Sequence, residues 1–77
     1  MAQATIQDWT ESMVMLKHDE QRDVKYRVYR DGDVFYQEIC ELDGSPIYTL
    51  QIPDGMKLDN NAYEVLLRYV LLDVIAA

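Results

Sequence analysis

Two Asp-Gly dipeptides, Asp31-Gly32 and Asp43-Gly44, separate three runs in which the side chains alternate in character. Asp-Gly between alternating runs is a strong hairpin signal, because glycine takes the positive φ that tight turns demand. A two-residue turn at Asp31-Gly32 sets Arg30 opposite Asp33, Val28 opposite Phe35, Tyr26 opposite Gln37 and Val24 opposite Ile39. A second two-residue turn sets Ile39 opposite Tyr48, Gln37 opposite Leu50 and Phe35 opposite Ile52. One face of the three strands is then apolar except for Gln37. A one-residue slip would send each side chain to the other face, so this agreement predicts an antiparallel meander. The reverse face sets Lys25 against Glu38 and Arg27 against Tyr36, pairs that stabilise by about 0.5 kcal/mol each.

The flanks complete the expected fold. Residues 4–16 place Ile6, Trp9, Met13 and Leu16 at helical spacing, and Thr5 with Asp8 resembles a capping arrangement, so a first helix is predicted. The rival reading makes a strand of the short apolar run Met13-Val14-Met15-Leu16. Residues 17–23 are polar and read as a solvated loop. Pro53-Asp54-Gly55 ends the third strand, and Asp59 or Asn60 can cap a helix from residue 61 to about Ala76. The expected class is α+β in one domain over residues 1–77: an N-terminal helix, a three-stranded antiparallel β-meander, and a C-terminal helix packed on one sheet face (α-β-β-β-α).

The last helix carries its polar residues, Asn61, Glu64, Arg68 and Asp73, near a single stripe. The rest of its surface is apolar, far more than the stripe of roughly 100° that a surface helix turns to its core. The excess predicts an assembly interface through Val65, Leu67, Tyr69, Leu71, Leu72 and Ile75. Size argues the same way. A domain of 77 residues buries only about 60% of its unfolded surface. One cysteine cannot form an internal disulfide, so a homodimer is expected.

Fourteen acidic residues against seven basic ones give a net charge of −7, which disfavours DNA, RNA and anionic lipid as direct partners. No run approaches the roughly 20 apolar residues of a membrane span. Acidity serves either solubility or attraction to a basic protein surface. The pairing gathers Asp19, Glu20, Asp23, Glu41 and Asp43 at one end of the sheet and Asp31, Asp33, Asp54 and Asp59 at the other. Tyr29 and Tyr36 lie beside Lys25 and Arg27 on the reverse face. Asp31, Asp33, Asp54, Asp59, Tyr29 and Tyr36 are therefore the partner-binding candidates. The lone Cys40 suits a reducing compartment, and the first residues lack the basic and apolar stretches of a signal peptide, so a cytoplasmic location is expected.

No motif for chemistry emerges. His18 is the only histidine and has no cysteine neighbours with which to build a metal site. Cys40 has Tyr36 and Glu38 as same-face neighbours, and an acidic neighbour opposes a reactive thiolate, so a small packing residue is expected. The stretch Asp54 to Asp59 lacks the ligand spacing of a calcium-binding EF-hand loop. No catalytic residue, metal, cofactor or small-molecule substrate is expected.

The predicted element order resembles that of double-stranded-RNA-binding domains, whose last helix opens on a lysine cluster. Asp59-Asn60-Asn61-Ala62-Tyr63 has no lysine, so the RNA activity is not carried over. The small acidic architecture also resembles some phage-encoded inhibitors of bacterial defence nucleases. Such mimicry acts by electrostatic complementarity without a catalytic residue. The expected function is thus a non-enzymatic, acidic protein-binding module, an inhibitor or accessory subunit able to occupy the basic nucleic-acid-binding surface of a target. The alternative is a self-assembling homodimeric structural protein whose acidity serves solubility.

Overall fold

The N-terminal segment is a strand, not the predicted helix. In the computed structural model, which describes residues 3–75, the chain forms β1 (Gln3–Met15), β2 (Gln21–Asp31), β3 (Val34–Glu41) and β4 (Pro46–Gln51). These make one antiparallel sheet in the order β1-β2-β3-β4, followed by α1 (Asn60–Tyr69) and a π-helical continuation, Val70–Ile75. The α-β-β-β-α expectation is therefore corrected to four strands and one C-terminal helix. The reason lies in the register of β1 on β2. Thr5 faces Tyr29, Gln7 faces Val28 and Thr10 faces Tyr26, so the ladder shifts twice. Ile6 is one inserted residue, and Asp8 with Trp9 together oppose Arg27. Each bulge adds a residue and breaks the period of two. The apolar spacing through Ile6, Trp9 and Met13 then imitates a helix. Beyond the bulges the alternation is regular: Val14 is buried while Met13 and Met15 face water.

The loop expected over residues 17–23 is shorter than predicted. Only Lys17–Asp19 forms the turn, and Gln21 already belongs to β2. His18 and Asp19 both adopt left-handed backbone, with φ of 62° and 58°. Such values are uncommon outside glycine, though His, Asn and Asp reach them more readily than other residues.

The β2–β3 turn sits one residue later than expected. Asp31 faces Val34, so the loop is Gly32-Asp33, with Gly32 at φ 65° in its first position. A turn of this kind takes its positive φ at the first loop residue, whereas the predicted Asp31-Gly32 turn wanted it at both. The shift moves each partner by two residues and so keeps every face. Val28 meets Gln37, Tyr26 meets Ile39 and Val24 meets Glu41, while on the reverse side Arg27 meets Glu38 and Lys25 meets Cys40. The β3–β4 loop spans residues 42–44, closed by Glu41 N–H donating to Ser45 C=O at 2.8 Å, rather than two residues. A register shift between Ile39 and Cys40 absorbs the extra residue, so Ile39 faces Tyr48 and Gln37 faces Leu50.

The helix lies on the face carrying Val24, Tyr26, Val28 and Ile39. Asp59 caps it, its Oδ1 accepting from Ala62 N–H at 2.9 Å. Tyr63, Leu66, Leu67, Val70 and Leu71 are buried, a stripe at i, i+3, i+4, i+7 and i+8, and they join Val14, Val24, Tyr26, Val28, Ile39 and Ile52 in one core. Tyr26 and Tyr63 meet edge to face with ring centroids 6.1 Å apart. Two polar links fix the helix on the sheet: Gln37 Nε2 donates to Tyr63 C=O at 3.1 Å, and Ser12 Oγ donates to Glu64 Oε1 at 2.7 Å. Ala76, the predicted helix end, lies outside the described residues. No helix is long and apolar enough to cross a membrane among the described residues.

Candidate functional site: the open sheet face

Among the described residues no other element covers the sheet face away from the helix, and its side chains form a connected cluster. The bulge at Asp8-Trp9 sets the geometry. Trp9 N–H donates to Asp8 Oδ1 at 2.8 Å, Thr10 Oγ1 donates to Asp8 C=O at 2.9 Å, and Gln7 Nε2 donates to Thr10 Oγ1 at 2.8 Å. Braced in this way, the Trp9 indole lies over β2. Lys25 Nζ is 5.0 Å from its ring centre and the Arg27 guanidinium carbon 5.5 Å. Arg27 also sits 4.8 Å from the ring of Tyr29, which stacks on Tyr36 at 5.4 Å and 24°. The result is a ladder of Lys25, Trp9, Arg27, Tyr29 and Tyr36 across three strands. Each exposed cation-aromatic contact contributes on the order of 0.5–1 kcal/mol.

Arg27 Nε donates to Glu38 Oε1 at 2.7 Å, so its charge is paired as well as stacked. Lys25 has no carboxylate partner among the described residues. Burial raises the Tyr29 phenol, and Glu38 adds to the effect while Arg27 opposes it. Cys40 shares this face, outside the main core, yet is buried. Burial first, and Glu38 second, push its thiol above the ordinary value. A raised thiol stays protonated at neutral pH and is a poor nucleophile.

The face continues into apolar surface along β1. Trp9 is 40% exposed, and Met13, Met15 and Leu42 are more open still. An open depression of about 380 Å³ lies beside Met13 and Leu42, also lined by Glu11, Ser12 and Asp23. Methionine's unbranched, polarisable side chain suits an adaptable binding surface.

The predicted site residues divide into three sets. Tyr29 and Tyr36 meet on the open face as expected from the sequence. Asp31 and Asp33 lie at the β2–β3 turn, at the end of the sheet where β4 runs into Asp54 and Asp59; Asp59 is taken up by capping and a 3.8 Å contact with Lys57. At the opposite end Glu41 pairs with Arg22 at 3.0 Å. The Ser45 N–H holds the Asp43 carboxyl below its usual range. Of the six helix residues assigned to assembly, Leu67 and Leu71 are buried in the chain's own core. Val65, Tyr69 and Ile75 are exposed and Leu72 is half-buried.

Trp9 was missed because the bulge that presents it also disguises its strand. The Lys25 and Arg27 partners were displaced by the two-residue register shift. His18 lies in the β1–β2 turn, and among the described residues no group of three or more His, Cys, Asp and Glu side chains is placed to hold a metal ion. Compared with known proteins, the chain matches no family model, no curated protein and no solved structure.

Proposed function

We propose that the protein is a non-enzymatic binding module that docks a partner protein on its open sheet face, as an inhibitor or accessory subunit. The carrying observation is the ladder of Trp9, Lys25, Arg27, Tyr29 and Tyr36, continued by exposed Met13 and Met15. Protein interfaces are enriched in aromatic residues, Met and Arg. The Trp9 indole and the Tyr29 ring are held by Lys25 and Arg27, and Tyr36 by stacking on Tyr29, so they present ordered contact area that loses little entropy on binding. Carboxylates at both ends of the sheet favour a partner whose contact surface is ringed by basic residues, such as a nucleic-acid-binding surface.

The test is retention of a partner by immobilised protein with graded salt elution. A protein held by the wild type, lost with Trp9→Ala and weakened by Asp31→Lys with Asp33→Lys, supports the reading. Loss with Val65→Asp but not with Trp9→Ala would move the function to the helix and overturn it. The self-assembling homodimer is the second reading, favoured by the state of one sheet edge.

A further inference from the structure

We infer that the outer edge of β1 pairs antiparallel with the same edge of a second copy, about a two-fold axis at Met13. This goes beyond the face-docking reading and does not depend on it. Leu16 N–H donates to Glu20 C=O at 2.6 Å, and the β1–β2 register is unbroken from Thr10 to Met15. In an antiparallel ladder, residues alternate between pointing both backbone groups at the neighbour and pointing both away. The even residues of this stretch therefore face β2, and the N–H and C=O groups of Glu11, Met13 and Met15 point outward, where no strand among the described residues receives them.

Exposed edges invite pairing unless they are short, charged, bulged or interrupted by proline. β4 is short, starts at Pro46 and has a register shift beside it. The first half of β1 carries both bulges and Asp8. The stretch from Thr10 to Met15 is regular, and Glu11 is its one charge.

Symmetry selects the occupant. A two-fold axis at Met13 sets Met13 against Met13 of the second copy and Glu11 against its Met15, so all three outward residues find partners at once. Each such pair exchanges two hydrogen bonds. The two Glu11 carboxylates fall four residues apart along the strands, about 13 Å, beyond the screening length of about 8 Å at physiological salt. The chain's net charge of −7 thus opposes this pairing only weakly at the seam. On the open face Met13, Met15 and their counterparts would form one apolar strip, and the two open faces would become a continuous surface.

Paired residues of this kind have Cα atoms about 5.5 Å apart, within the range that a disulfide spans. In a Cys40→Ser background, Met13→Cys should cross-link under mild oxidation to twice the 9.0 kDa chain mass, and Glu11→Cys should not. Light scattering of the full chain over a dilution series should show a dimer that Met13→Pro converts to a monomer with unchanged far-ultraviolet circular dichroism. The pairing is overturned if the wild type stays at 9.0 kDa throughout, if Glu11→Cys cross-links as readily as Met13→Cys, or if open-ended polymers form. A dimer that dissociates with Val65→Asp while Met13→Pro leaves it intact would place the contact on the helix and refute it.

Discussion

Among the described residues Gln37 is the one buried side chain classed as polar, and replacing it by methionine should stabilise the protein. The residue is fully buried on the helix-covered face of β3. Its Nε2 donates to Tyr63 C=O, but its Oε1 has no partner. A buried acceptor left without a hydrogen bond costs about 1–3 kcal/mol. The hydrogen bond that Nε2 does make contributes about 1 kcal/mol net. Tyr63 C=O keeps its place in the helix ladder once the amide is gone. Methionine nearly matches glutamine in length and volume and adds no polar atom, so it fills the same space with little repacking. Gln37→Met should therefore raise stability by about 1 kcal/mol, seen in urea as a higher midpoint with an unchanged slope and in heating as a Tm higher by about 4–8 °C. A loss of more than about 1 kcal/mol would refute this ledger and show that the amide sets the helix on the sheet.

Three further outcomes test the packing. Leu67→Asp, which buries an unpaired carboxylate, should unfold the domain at a cost of more than about 4 kcal/mol, while Val65→Asp on the exposed helix face should change urea stability by less than about 0.5 kcal/mol. Asp59→Ala removes the N-cap and should cost about 1 kcal/mol in the same assay, with circular dichroism showing reduced helix. Burial first, then Glu64, pushes the Tyr26 phenol from 10.0 to about 12. Its folded-state value is raised, so its contribution is complete below pH 10 and is lost as pH climbs toward 12. Tyr26→Phe should flatten the alkaline limb of a stability-against-pH curve.

The parts of the fold that could be read from the sequence are those where one local signal met no competitor. The second hairpin keeps its register because it puts Tyr48, Leu50 and Ile52 of the third run beside Ile39, Gln37 and Phe35, and a register shift beside Cys40 corrects the wrong loop length. The C-terminal helix is announced by Asp59 and by its stripe of buried residues. β1 was hidden because its bulges erase strict alternation just where Trp9 must be presented. The first hairpin was misplaced by one residue because Asp-Gly does not say which loop position takes the positive φ. Faces survived that error, since a shift of two preserves them, but partners did not: Arg27 took Glu38, which the sequence had assigned to Lys25. Tyr29 and Tyr36 were recognisable as a reverse-face pair, whereas Leu67 and Leu71 were indistinguishable by composition from Val65 and Tyr69. Only the position of the sheet decides which helix face is core.

Both the ladder on the open face and the free edge depend on residues 3–15 being a strand. From Thr10 to Met15 the odd residues of β1 form the non-hydrogen-bonded pairs with β2, where Cα atoms approach to about 4.5 Å. The direct measurement is nuclear Overhauser contact between Hα atoms across those pairs. Strong cross-peaks of Glu11 with Lys25, Met13 with Asp23, and Met15 with Gln21 are predicted. Their absence, with contacts instead between Hα of each residue and the amide three residues on through Ile6, Trp9 and Met13, would restore the helix and remove the site.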